Sequence, residues 1–289
     1  MLYRPPARFS IAPAVLALGL AACADPTPTA TVPRDASFTR AGDEPGTHRQ
    51  YGTPIQLGEG RARSYIVMNK GVPLEVGLAL DERALDGLRG PMQHGPGEGG
   101  DHAHEDFDAY SIPMPAQNPT PYKFIELDWN PAGHAPEHVY TVPHFDFHFY
   151  KISVEQRDAI VPSDPLFVVK SENAPAPAFI PPFYIAPAMI AIPRMGVHWI
   201  DVRSPELQPP PNNKKFTTTF LTGSYDGAVI FQEPMITREF ILSKPNVEIP
   251  LPMASRVTPA GYYPTAYSIT YDAQAKEHRI ALTKLAWRD

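Results

Sequence analysis

Between Gly133 and Tyr150 the chain reads Gly-His-Ala-Pro-Glu-His-Val-Tyr-Thr-Val-Pro-His-Phe-Asp-Phe-His-Phe-Tyr, and these eighteen residues hold four of its ten histidines. Imidazoles and carboxylates are ordinary ligands of zinc, iron, manganese and copper. Within the run, His144, Asp146 and His148 alternate with Phe145, Phe147 and Phe149. Successive side chains of a strand point to opposite faces. A strand here therefore sets two imidazoles and a carboxylate on one face and three phenyl rings on the other. The aromatic face suits a core. The polar face suits the wall of a metal or polar-ligand site.

Strand geometry limits what this run does alone. Neighbours on one face lie about 6.6–6.8 Å apart and can share an ion, whereas residues four apart are separated by about 13 Å. The run is expected to supply one or two direct ligands, with Asp146 orienting a ring or serving as an additional ligand. Completion must come from elsewhere. His134 lies in a proline-bounded loop just upstream, His198 in a separate strand-like segment, and Glu233 in Phe231-Gln232-Glu233-Pro234-Met235. The expectation is one centre on which His134, His144, His148 and His198 converge. The competing reading has the same histidines bonded to backbone carbonyls in a polar interior, with no metal.

A second cluster, His94, His102 and His104 with Met92 and Met114, sits in a glycine-rich loop and combines imidazole with thioether. That pairing suits copper; a plain polar loop is the alternative. Other familiar chemistries find no footing. The chain has no Gly-x-Ser-x-Gly elbow, Walker loop or His-Glu-x-x-His, and no Gly-x-Gly-x-x-Gly set between a strand and a helix, as dinucleotide binding requires. A His-x-Asp-x-His run also fails to match the His-x-His pairs of cupins and alpha-type carbonic anhydrases.

The elements that must position these residues read as strands. Arg63–Met68 and Val72–Leu80 flank the turn Asn69-Lys70-Gly71, a hairpin pattern in which Pro73 suits an edge. Phe124–Trp129 alternates, and Met195–Asp201 is a further strand candidate. Phe216–Thr222 and Ala228–Gln232 flank Gly223-Ser224-Tyr225-Asp226-Gly227, and Tyr267–Tyr271 is followed by His278–Thr283. Helical signals are short: Asp81–Leu88 opens on an N-cap residue, and Ser153-Val154-Glu155-Gln156 is a capping box leading to about Ile160. Residues 174–193 are too rich in proline for a helix and too apolar for a free linker. With 36 prolines spread along the chain, the expected fold is mainly β: an antiparallel β-barrel or sandwich with a few short helices.

The N-terminus predicts export. Arg4 and Arg8 precede a short apolar stretch, Ile11–Ala22, which ends at Leu20-Ala21-Ala22-Cys23. A run this short is a signal peptide rather than a span. The sole cysteine resembles the lipid-accepting residue of a bacterial lipobox; the alternative is an ordinary signal peptide with an incidental cysteine. The expected organisation is a signal peptide over 1–22, a lipidated disordered tether over 23–50, and a single β-rich domain over 51–289. The location would be the periplasm, anchored to the outer membrane through the lipid. Processing removes two arginines and moves the formal charge from −6 to −8. It also leaves no cysteine for a disulfide or a thiolate metal site. An acidic chain carries no electrostatic footprint for nucleic acid.

Three motifs resemble an uncharacterised bacterial family, the TTHB-like domain of unknown function. They are Gly133–Tyr150, Met195–Asp201 with Ser204-Pro205-Glu206, and Gly223–Thr237. The resemblance covers roughly residues 50–289. It implies a mostly β, often exported domain that forms oligomers, and it marks His134, His144, Asp146, His148, His198 and Glu233, leaving His138 outside. It implies no activity. Three functions stay open: a metal-dependent enzyme acting on a small molecule, a non-catalytic lipid-anchored binding or assembly module, and a copper-sequestering lipoprotein.

Overall fold

The computed structural model describes residues 45–91 and 107–289. The signal peptide, Cys23, most of the tether and the His94/His102/His104 loop lie outside the described residues. Met114 is described, and it packs against the main core rather than facing a loop.

Alternating sequence and tight turns give antiparallel strands throughout. In chain order these are β1 (Thr47–Tyr51), β2 (Ile55–Leu57), β3 (Gly60–Asn69), β4 (Val72–Asp81), β5 (Asp108–Pro113), β6 (Phe124–Asn130), β7 (His144–Tyr150) and β8 (Tyr184–Ile185). There follow β9 (Val197–Asp201), β10 (Thr218–Tyr225), β11 (Ala228–Thr237), β12 (Asn246–Pro250), β13 (Gly261–Tyr263), β14 (Ala266–Asp272), β15 (Glu277–Thr283) and β16 (Ala286–Arg288). One seven-stranded sheet runs β1-β3-β4-β15-β14-β12, with β2 also on β3; the other runs β5-β6-β7-β11-β10-β9-β8; β13 and β16 pair separately. The sheets do not close into a barrel, and the architecture is a sandwich.

Phe145, Phe147 and Phe149 lie with Leu78, Leu80, Ile125, Leu127, Ile269 and Ile280 in the core cluster that joins the two sheets. All seven residues of β7 are buried. The aromatic face of β7 therefore builds the core, while its polar face is buried on the outer side of the second sheet. Two smaller apolar clusters flank that outer face, one around Phe124, Tyr150 and Phe231 and one around Tyr140, Phe216 and Met235.

Local details depart from expectation for identifiable reasons. The tether reading gives way at Thr47, because β1 pairs along its length with β3 although His48-Arg49-Gln50 offers no apolar signal. Pro73 sits in an interior strand, not an edge. β15 pairs β4 only from Glu75 onward, and a register shift at Val67/Met68 absorbs the proline on the other side. The helix expected after Asp81 is one 3-10 turn, Glu82–Leu85, because the Asp81 carboxylate accepts from the Arg61 N–H at 2.9 Å instead of capping. The capping box at Ser153 forms with both reciprocal bonds and opens α1 (Val154–Asp158). α2 (Phe167–Glu172) and α3 (Arg238–Leu242) are the other α-helices among the described residues. The β10–β11 turn places Asp226 and Gly227 at φ 49° and 77°, the two positive values of a type I′ hairpin.

Candidate metal centre

Three adjacent strands set the polar outer face. In the β6–β7 ladder Asn130 stands opposite His144, Asp128 opposite Asp146, and Glu126 opposite His148. On the other side, β11 pairs Thr237 with His144 and Met235 with Asp146. Side chains directly opposite in an antiparallel pair share a face, so carboxylates from β6 and β11 frame the β7 histidines.

The expected ligands do not meet at one point. They divide into two triads, each of two histidines and one carboxylate and each compact enough to hold a metal ion. The first is His134, His144 and Asp146. His144 Nε2 is 3.3 Å from Asp146 Oδ1, and His134 Nε2 is 3.4 Å from Asp146 Oδ2. The second is His148, His198 and Glu233. His148 Nε2 lies 3.6 Å from Glu233 Oε1, and His198 Nε2 lies 3.5 Å from Glu233 Oε2. His144 and His148, four residues apart, belong to different triads. Asp146 and Glu233 are the central members of theirs, not peripheral groups. His138 is exposed and belongs to neither.

Ring orientation is fixed from behind. His144 Nδ1 is 2.7 Å from the Val142 carbonyl and His134 Nδ1 is 2.7 Å from the Ala135 carbonyl. A backbone carbonyl accepts only from a protonated ring nitrogen, which leaves Nε2 as the ligating lone pair. The Asn130 amide donates to Asp146 Oδ2 at 2.8 Å. His148 turns Nδ1 toward Asp128 Oδ2 at 3.5 Å, opposite to its Glu233 side. Metal-bound histidines commonly direct their second nitrogen to a carbonyl or carboxylate in this way.

Two packing devices hold the histidines that come from outside β7. Gly133, at φ 72°, allows the loop to fold so closely that a Cβ there would lie 2.1 Å from the Tyr140 carbonyl; the same carbonyl accepts from the His134 N–H at 3.2 Å. Gly223, opposite both His198 and Phe231, admits the Phe231 ring over β10, where a Cβ would come within 2.0 Å of Phe231 Cζ. That ring packs 4.8 Å from His148 and 5.3 Å from His198.

The charges on this face are unevenly compensated. Glu126 pairs with the buried Arg157 and lies 3.5 Å from Arg194. Asp128 and Glu233 have no such cation among the described residues. Burial pushes the Asp128 carboxyl well above the usual range, helped by the charges of Glu126 and Asp146. Burial does the same to Glu233, with Asp146 and Asp128 adding to it. Burial also lowers His148 to about 4. The second triad is thus short of positive charge. In the first, burial opposes ionisation of Asp146, but His144 and His134 hold it well below the usual range. Burial likewise opposes charge on His134, and Asp146 overcomes it.

Seven buried polar atoms here have no hydrogen-bond partner among the described residues: both Asp128 oxygens, His144 Nε2, Asp146 Oδ1, both His148 ring nitrogens and Glu233 Oε2. Buried polar groups are nearly always paired, and each left unpaired costs about 1–3 kcal/mol. A cation at each triad would engage the ligating atoms among them at once. Access is from the sides, since His134 and His198 keep 25% and 18% of their side-chain surface while His144 and His148 keep almost none. Asp128 is a participant beyond the residues expected from the sequence. Its signal was the stripe Glu126-x-Asp128-x-Asn130 on β6. Comparison of the chain with family models, with curated proteins and with solved structures found no match.

Proposed function

We propose that this protein is an exported lipoprotein, anchored to the outer membrane through Cys23, whose sandwich carries a reactive divalent-metal centre for a small molecule in the periplasm. The metal reading rests on one observation: seven partnerless buried polar atoms gather on a face already equipped with two triads, each of two imidazoles and a carboxylate. Three protein ligands per ion, rather than four, leave a coordination position open, as catalytic sites do and structural zinc sites do not. A divalent ion held this way supplies Lewis acidity or an activated water. The all-nitrogen-and-oxygen donor sets favour zinc or ferrous iron. Small molecules would enter beside His134 and His198.

Elemental analysis of the purified mature domain tests this. Up to two metal equivalents per chain are expected, and none in a His144→Ala/His198→Ala double variant that removes one ligand from each triad. A fully folded wild-type protein that binds neither zinc nor iron on titration overturns the reading.

A further inference from the structure

The segment between β12 and β13 borders a cleft of about 40 Å³ together with Phe179, Pro181, residues of β10 and β11, and Lys151 just beyond β7. Thr222 and Gln232, opposite each other in the β10–β11 ladder, form part of its wall. Gln232 also pairs with Phe149 of the core face, so the cleft faces away from the histidines.

Among the described residues three cations line it, Lys151, Arg256 and Arg288, and no aspartate or glutamate does. That is unusual on a chain with formal charge −6. Their contacts are with neutral groups. Lys151 Nζ donates to the Thr258 carbonyl at 3.1 Å, and Arg288 Nη2 donates to the Ala254 carbonyl at 2.6 Å and the Ser255 carbonyl at 3.3 Å. The Arg256 guanidinium stands 5.4 Å from the Phe179 ring centre. These contacts orient the cations without neutralising them, and donors remain: an ammonium has three and a guanidinium five.

We propose that this cleft binds a small oxyanion, the phosphate or carboxylate group of a ligand or the free ion, with Lys151, Arg256 and Arg288 as its donors. The volume suits one such group rather than a whole cofactor. Burial lowers Lys151 to about 7, so an incoming anion would also draw a proton onto its amine. The site does not depend on the metal centre.

Calorimetric titration of the folded domain with inorganic phosphate, and separately with acetate, tests it. Saturable one-to-one binding of at least one ion is expected at millimolar concentrations, with phosphate alone indicating a tetrahedral ligand and acetate alone a carboxylate. Above pH 7 the binding heat should vary with the buffer's ionisation enthalpy, because a proton is taken up. Lys151→Met and Arg256→Gln should each weaken binding about tenfold or more, the loss expected for one charge-assisted hydrogen bond. Arg256 makes no side-chain hydrogen bond to the fold among the described residues, so its variant guards against misfolding at Lys151. Absence of saturable binding by either ion, or unchanged affinity in the folded Arg256→Gln protein, overturns the proposal.

Discussion

Oδ2 of Asp128 stands 3.5 Å from Nδ1 of His148, on the opposite side of that ring from Glu233. Neither oxygen of Asp128 has a hydrogen-bond partner among the described residues, so no protein hydrogen bond accounts for its position. Carboxylate, imidazole and metal in line is the arrangement by which a carboxylate fixes a ligand's tautomer and raises its basicity. Asp128→Asn preserves size while removing a carboxyl that can ionise beside His148. It should weaken the cation held by His148, His198 and Glu233 by about 10–100-fold and leave the cation of His134, His144 and Asp146 in place. Competition against a chromophoric chelator would resolve the two affinities. Equal weakening of both ions, or of neither, would refute this division of labour.

Metal removal should also register as lost stability. The groups left buried are carboxylates and imidazoles without compensation, and an ion that binds only the folded chain stabilises it by mass action. At a hundredfold excess over Kd that amounts to about 2.7 kcal/mol, or roughly 5–10 °C in Tm for a domain of this size. Scanning calorimetry before and after chelation, with zinc and then iron restored, measures it. A Tm indifferent to both treatments would count against occupied triads.

Much of this was legible in the sequence, for a physical reason. The period-two alternation of β7 states which residues face the core and which do not, and the Asp226-Gly227 turn fixes the β10–β11 hairpin locally. The division into two triads was not legible. It depends on β11 pairing with β7, across the long segment that holds α1, α2 and β8–β10, and no local pattern encodes that adjacency. The stripe Glu126, Asp128, Asn130 was readable as a pattern. Its meaning appeared only once β6 lay in register with β7. Pro73 and Asp81 depart from their local preferences for a related reason: pairing partners along β15 and β3 decide the outcome.

Gly223 offers a way to disturb one triad from outside it. Alanine there would place a Cβ 2.0 Å from the Phe231 ring, and the ring must move from its seat beside His148 and His198. Overpacking of this kind costs about 1–3 kcal/mol. Gly223→Ala should therefore lower stability by that amount in denaturant titration and weaken the His148/His198/Glu233 cation, while the first triad keeps its affinity. If stability falls but both affinities are unchanged, Phe231 does not position those histidines.

A pH dependence of stability follows from His278 on β15, remote in sequence from both triads. Its Nδ1 is buried without a partner, and its ring packs 5.0 Å from that of Tyr271. Burial, with the charge of Lys244, lowers its pKa to about 4, against about 6.5 for an unfolded histidine. Between these values the unfolded chain binds the proton and the folded chain does not, so stability falls as pH drops from about 6.5 toward 4 and the loss levels off below that. Other groups titrate in this range, and a variant isolates this one. His278→Leu should show a shallower decline over the same window than the wild type, in denaturant midpoints taken at successive pH values. Parallel pH profiles for the two proteins would mean that the buried imidazole contributes nothing to the acid sensitivity of the fold.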